Sequence, residues 1–106
     1  MTLLQVSALD ELAPGSRTRV ETPAVDVVVV RVGDDLYAIE DRCSHGDVPL
    51  SEGELDGCLL ECWLHGSAFD VRTGEPTSLP AVKAVRTFPV VINDLDGTPT
   101  VLVEIG

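Results

Sequence analysis

The chain is poor in aromatic and basic residues and has no long apolar segment. Among its 106 residues there are 7 Lys and Arg against 18 Asp and Glu, which gives a formal net charge of −11. Such a surface repels nucleic acids and anionic membranes, because both are bound by clustered basic side chains. No segment approaches the ~20 apolar residues of a membrane-spanning helix. We therefore expect neither a nucleic acid nor a membrane as partner.

Features of a secretion signal are also missing. Residues 1–10 lack a basic start and an apolar centre, so a cytoplasmic location is expected. The chain has three cysteines, and an odd number without a secretion signal favours metal binding over disulfide bonding. The acidity suits electrostatic steering towards a basic partner, or it serves solubility alone.

Val and Leu supply most of the apolar content, which is 44% of the chain. Short apolar runs separated by turn signals are typical of an all-β domain, and no segment of about ten residues keeps a helical period. We expect one domain over residues 1–106, folded as an antiparallel β-sandwich or barrel. The predicted strands are residues 3–6, 17–20, 25–32, 36–40, 58–62, 69–71, 84–91 and 100–105.

The only two histidines of the sequence occupy similar positions. Each follows a cysteine and precedes a glycine, in residues 43–46 (CSHG) and 62–66 (CWLHG). Two thiolates and two imidazoles suit zinc or an iron–sulfur centre. Glycine allows a loop to pass close to a bound group, because it has no side chain. The predicted ligands are Cys43, His45, Cys62 and His65.

The spacing of these ligands resembles the signature of the Rieske [2Fe–2S] proteins. Cys-x-His is followed, after sixteen residues, by Cys-x-x-His. The resemblance to soluble Rieske ferredoxins extends to Gly66, Phe69, Asp70, Thr73, Gly74 and the segment 79–81 (LPA), which matches a loop that covers the cluster there.

This resemblance implies a fold and a cofactor. The fold is the Rieske (iron–sulfur-protein-like) fold, in which two Cys-His loops form a cluster-binding subdomain, here about residues 41–81. The cofactor is one [2Fe–2S] cluster per chain. Cys43 and Cys62 would bind one iron, and His45 and His65 would bind the other.

A function without catalysis is implied by the same resemblance. The ferredoxin components of bacterial multicomponent aromatic-ring dioxygenases carry one electron from a flavin-dependent reductase to a terminal oxygenase. If both histidines bind the cluster, no imidazole remains for acid–base chemistry. We therefore expect an electron carrier, not an enzyme, that acts in aromatic compound catabolism as a monomer and docks transiently on its reductase and its oxygenase.

Two alternatives remain open from the sequence. One is the small subunit of a nitrite-reductase-like complex, although retention of all four ligands weighs against it. The other is a zinc-stabilised interaction module. Zinc sites usually take two cysteines from one knuckle and two histidines from another, whereas here each loop offers one of each.

Residues near the ligands have more than one interpretation. Cys58 alternates with Leu60 and Cys62 in a predicted strand, which favours a buried and unreactive thiol. Trp63 either forms a contact patch for a redox partner or packs beneath its loop. Five acidic residues either steer a basic partner or are solvated loop charges: Asp41, Asp47, Glu52, Glu54 and Asp56.

Two substitutions test the predicted ligand set. His65→Cys is expected to lower the reduction potential or to abolish the cluster, because a third thiolate adds negative charge. Cys58→Ser is the control and should leave the visible absorption spectrum unchanged. A bleached Cys58→Ser protein would contradict the ligand assignment.

Overall fold

Short antiparallel strands and single helical turns make up the regular structure of the described part of the protein. The computed structural model describes residues 2–43, 48–63, 66–77 and 83–105. Two 3-10 turns lie at Leu9–Glu11 and Leu50–Glu52, and no helix in these ranges is long or apolar enough to span a membrane. The strands are β1 (Thr2–Ala8), β2 (Arg17–Val20), β3 (Val27–Val32), β4 (Asp35–Glu40), β5 (Leu55–Asp56), β6 (Leu59–Glu61), β7 (Ala68–Asp70), β8 (Thr87–Phe88), β9 (Val90–Leu95) and β10 (Thr98–Ile105).

In the described ranges these strands form three sheets. The first sheet has the order β1-β10-β9, the second β2-β3-β4-β8, and the third β5-β6-β7. All neighbouring strands pair antiparallel. The all-β, antiparallel fold predicted from the sequence is confirmed.

The valine run of β3 is buried on both faces of the second sheet. Successive side chains of a strand point to opposite faces. Val27 and Val29 accordingly pack in one apolar cluster, whereas Val28 and Val30 pack in another. A strand covered on both faces appears in the sequence as a continuous apolar run. The second sheet is therefore the central layer of the molecule.

The two apolar clusters lie on opposite sides of this central layer. On one side, Val101 and Val103 of β10 pack against the second sheet. On the other side, strands of the third sheet and the loops next to them cover it. We call the cluster on this second side the cysteine-side core, and its buried members are Val28, Val30, Ile39, Cys43, Leu50, Leu60, Cys62, Phe69, Val71 and Val85.

The prediction of one strand over residues 84–91 is wrong. The structure has two strands there: β8 pairs with β4, and β9 pairs with β10. Pro89 separates them, and its carbonyl accepts a hydrogen bond from the Glu104 N–H at 2.9 Å. Because proline has no N–H to donate to a ladder, this position suits the place where the chain passes from one sheet to another.

The prediction of a strand over residues 58–62 is correct only at its centre. The strand β6 is limited to Leu59–Glu61, and Cys58 lies in the turn that joins it to β5. Gly57, in the same turn, has a φ of +59°, a conformation that favours glycine. Cys58 is half-buried against the cysteine-side core, so the expected buried thiol is found only in part.

Burial on the central sheet predicts the cost of a truncation in β4. Ile39 is 0% exposed, and Ile39→Val should lower the free energy of unfolding by about 0.5–1.5 kcal/mol, because a buried methyl group is lost. The matched control is Ile92→Val, since Ile92 is 47% exposed, and its effect should stay below about 0.5 kcal/mol. Denaturant unfolding measures both. Equal losses would show that Ile39 is not in the core.

Candidate metal centre

Two of the predicted ligands lie where separate loops meet in one core. Cys43 follows β4, and Cys62 directly follows β6. Cys43 is 2% exposed and Cys62 is 0% exposed, and both belong to the cysteine-side core. No disulfide is formed by the three cysteines, all of which lie in the described ranges. The other two predicted ligands, His45 and His65, lie outside the described residues.

Backbone hydrogen bonds join the described residues on either side of each histidine. In the first loop, the Cys43 N–H donates to the Val48 carbonyl at 3.0 Å. In the second, the Cys62 N–H donates to the Ser67 carbonyl at 2.6 Å, and the Gly66 N–H donates to the Cys62 carbonyl at 2.9 Å. Gly66 has a φ of +75°, which a side chain would disfavour.

The chain that follows the first loop packs at Gly53 against the end of β6, just before the second loop. This residue ends the 3-10 turn Leu50–Glu52, and its N–H donates to the Leu50 carbonyl at 3.0 Å. A Cβ atom added to Gly53 would overlap the carbonyl oxygen of Glu61, the residue before Cys62. The φ of Gly53 is −85°, so close packing, not backbone conformation, explains the glycine here.

Asp41 is the buried acidic residue at the beginning of the first loop. Its side chain is 0% exposed. Oδ1 accepts a hydrogen bond from the Ser51 N–H at 2.7 Å, and Oδ2 accepts from the Ser51 hydroxyl at 2.7 Å and from Arg19 Nη1 at 2.9 Å. Burial would lower the pKa of the Arg19 guanidinium, but Asp41 and Asp26 together hold it above its usual value.

The acidic residues near the predicted ligands therefore have different environments. Asp41 is enclosed and paired, so it is not part of a steering surface. Glu52, Glu54 and Asp56 are exposed, which is compatible with either interpretation made from the sequence. Asp47 lies outside the described residues.

A tight turn follows β7, and it is hydrogen-bonded to the chain that comes after residues 78–82. The Asp70 carbonyl accepts hydrogen bonds from the N–H groups of Thr73 at 3.2 Å and Gly74 at 2.7 Å. The Gly74 carbonyl accepts from the Val85 N–H at 2.8 Å, which fixes the chain on the far side of residues 78–82. Hydrogen bonds from the Arg72 side chain lower the pKa of the Asp70 carboxyl below its usual value. The predicted covering loop 79–81 itself lies outside the described residues.

The described donors fit a metal or an iron–sulfur centre. A thiolate in an apolar core is costly unless positive charge compensates it, and a bound metal ion keeps its thiol ligand deprotonated. Within the described ranges, no group of three or more His, Cys, Asp or Glu side chains is placed to hold a metal ion. The predicted ligand set contributes only its two cysteines to those ranges.

Comparison with known proteins decides between zinc and iron–sulfur chemistry. A family model described as the Rieske [2Fe-2S] domain matches residues 2–89. The chain belongs to the Rieske family. Membership in this family implies a [2Fe–2S] cluster, so the predicted type of cofactor is confirmed.

Two relatives that match over nearly their whole length are ferredoxins. The ferredoxin component of biphenyl 2,3-dioxygenase from Rhodococcus jostii (strain RHA1) is 41% identical in an alignment that covers 94% of this chain and 99% of the relative. The ferredoxin of carbazole 1,9a-dioxygenase from Nocardioides aromaticivorans IC177 superposes with a TM-score of 0.90, at 42% identity and with 100% of both chains covered.

A third match comes from a complex. One chain of the complex of reduced oxygenase and oxidized ferredoxin in carbazole 1,9a-dioxygenase is 43% identical, with a TM-score of 0.86 over 95% of this chain and 91% of that one. The resemblance to Rieske-type ferredoxins is thus confirmed, together with the Rieske fold. So is the expectation of an electron carrier, since these homologues are ferredoxin components and not catalytic subunits.

Sequence reasoning missed two residues that shape this site. Asp41 lies two residues before a predicted ligand, and this position is a signal for a structural role. Its charge alone indicates a surface residue. Gly53 was not singled out, because the residue it packs against, Glu61, is distant in the sequence.

Close packing at Gly53 predicts the effect of a single methyl group. Gly53→Ala should lower the free energy of unfolding by about 1–3 kcal/mol, because the added Cβ forces residue 53 away from the end of β6, and it should reduce the iron content of the purified protein because Cys62 directly follows β6. The matched control is Gly33→Ala in the β3–β4 turn, where a Cβ meets open space but φ is +61°. This control should cost about 1–2 kcal/mol through backbone strain. Denaturant unfolding and iron analysis measure both effects. Equal iron content in the two variants would contradict the role of Gly53.

Proposed function

We propose that this chain is the ferredoxin component of an aromatic-ring dioxygenase system and delivers one electron at a time to the terminal oxygenase. One [2Fe–2S] cluster per chain would be held by Cys43, His45, Cys62 and His65. The observation that carries this proposal is the burial of Cys43 and Cys62 in one core, in a chain whose relatives are dioxygenase ferredoxins. The proposal includes a single domain over residues 1–106 whose cluster-binding portion covers about 41–81.

Charge balance explains why a mixed ligand set suits this core. When bound, a [2Fe–2S] cluster supplies a centre that gains and loses one electron. Two ferric ions, two sulfides, two thiolates and two neutral imidazoles sum to zero charge, whereas four thiolates would leave −2 and hold the potential lower. A neutral oxidised state costs less to bury in an apolar core than a doubly charged one.

Trp63 supports a docking surface next to the site. It directly follows Cys62 and is 53% exposed. Of the large apolar side chains that are exposed in the described ranges, it alone belongs to the cluster-binding portion; the others are Leu3, Ile92 and Leu95. Partly exposed tryptophan is enriched at protein–protein interfaces, so Trp63 fits the contact-patch interpretation made from the sequence.

The partners are inferred from the resemblance to dioxygenase ferredoxins, one of which is seen in a complex with its oxygenase, and the overall charge fits them. A net charge of −11 speeds the encounter with basic partners at low ionic strength. A flavin-dependent reductase would supply the electron, and the oxygenase would accept it. We expect the chain to be a monomer. It would use the same docking surface for the two partners, one after the other. Monomeric state, reductase partner and cytoplasmic location belong to this proposal.

Single-turnover electron transfer tests the function and the surface together. Protein reduced by NADH and a flavin-dependent reductase of the dioxygenase class should be reoxidised on mixing with a terminal oxygenase, as followed by stopped-flow absorption. Trp63→Ala should slow the oxidation by about tenfold or more, because tryptophan anchors often contribute over 1.4 kcal/mol. Ile92→Ala, which removes an exposed apolar side chain from the first sheet, is the matched control and should leave the rate unchanged.

Two results would contradict the proposal. A wild-type protein that accepts no electron from the reductase would remove the carrier function. Equal rates for Trp63→Ala, Ile92→Ala and wild type would remove the docking surface at Trp63.

A further inference from the structure

The buried carboxylate of Asp41 joins the beginning of the first ligand loop to its end. We propose that Asp41, anchored by Arg19, positions this loop before any metal is bound, by linking residue 41 to Ser51 and thereby holding Cys43 against the second loop. The inference rests on the ligand set of the proposed function. Asp41 is a positioning residue here, since it acts through the loop and not on the cofactor.

The hydrogen bonds of Asp41 close the loop across ten residues of sequence. Both the N–H and the hydroxyl of Ser51 donate to the carboxylate at 2.7 Å, one to each oxygen. The Asp41 N–H itself donates to the carbonyl of Asp26 at 2.8 Å. Asp26 directly precedes β3, so Asp41 is fixed to the central sheet. Two donors from one residue define an orientation as well as a distance, because both bonds must be satisfied together.

Arg19 offsets the free-energy cost of burying this carboxylate. An isolated buried carboxylate is strongly unfavourable, whereas one that is paired and hydrogen-bonded is tolerated. Arg19 Nη1 donates to Asp41 Oδ2 at 2.9 Å, and its Nη2 donates to Asp26 at 2.7 Å. Arg19 lies on β2, so the loop is held to the sheet by a side chain that the loop does not contain.

From Ser51, described contacts continue to the second cysteine. Ser51 lies in the 3-10 turn Leu50–Glu52, which is anchored by the fully buried Leu50. Directly after it, Gly53 packs on the carbonyl of Glu61. The Glu61 N–H also donates to the Glu54 carbonyl at 2.8 Å. Asp41 is thus connected, through one short turn, to the residue before Cys62.

This arrangement has a specific consequence for cofactor retention. If the loop is already closed in the apoprotein, little backbone freedom is lost when the cofactor binds, and little is regained when it leaves. Loss of the Asp41–Ser51 link should therefore accelerate cofactor release more than it lowers the stability of the apoprotein. A residue with only a general structural role would change both in proportion.

The experiment compares four chains: wild type, Ser51→Ala, Asp41→Ala and Asp26→Asn. Asp26→Asn is the matched control, since it weakens the other ion pair of Arg19 and leaves the loop closed. The readouts are the rate of iron loss to a chelator, followed by bleaching, and the melting temperature of each apoprotein. Ser51→Ala removes the hydroxyl hydrogen bond and keeps the one from the Ser51 N–H, so it should release iron about tenfold faster than wild type. Asp41→Ala removes both bonds and should release iron up to about a hundredfold faster. Asp26→Asn should stay within about threefold of wild type.

A double variant sharpens the test. In the Asp41→Ala background, Ser51→Ala should cause no further acceleration, because its partner is already gone. The apoprotein melting temperature of Ser51→Ala should lie only slightly below that of Asp26→Asn, because the first variant loses one hydrogen bond to a buried carboxylate and the second weakens an exposed ion pair. If Asp41→Ala fails to fold, the comparison of Ser51→Ala with Asp26→Asn decides alone.

Three outcomes overturn the inference. They are equal release rates for Ser51→Ala and Asp26→Asn, additive effects in the double variant, and acceleration that matches the loss of apoprotein stability. If these occur while wild type contains iron and sulfide, only the positioning role fails. If wild type contains neither, the proposed function fails as well.

Discussion

Two cysteine side chains buried in the same apolar core are the constraint on which the rest of this structure depends. Cys43 and Cys62 come from separate loops and meet where water is excluded. Thiolates at these positions would require positive charge close by, and the irons of the [2Fe–2S] cluster that membership in the Rieske family implies would supply it. With the proposed set of two cysteines and two histidines, the oxidised site would be neutral, which would suit an apolar surrounding.

The sheets isolate this site from the rest of the molecule. The strand β3 is buried on both faces, so the central sheet separates the cysteine-side core from the cluster that packs under β10. Two close contacts complete the arrangement: Gly53 packs on the end of β6, just before Cys62, and the Asp41 carboxylate links the beginning of the first loop to Ser51. The sheets thus support the two loops, with Trp63 exposed beside Cys62, one of the proposed ligands.

Local patterns in the sequence predicted the features that depend on neighbouring residues, namely the fold class and the ligand motifs. The valine run and the turn signals predicted an all-β fold, and β2 begins and ends where it was expected. The spacing of cysteine and histidine predicted the family. Long-range contacts were not predictable in the same way. The split at Pro89 depends on which sheet each half joins, and the burial of Asp41 depends on Ser51 and Arg19, which are distant in the chain.

The most direct test of the central claim is metal and sulfide analysis of the anaerobically purified protein. If Cys43 and Cys62 hold a Rieske centre, the protein should contain about two iron atoms and two acid-labile sulfides per chain. A matched Cys62→Ser chain should contain neither. Zinc in place of iron, with no acid-labile sulfide, would contradict the assignment of these cysteines to an electron-transfer centre.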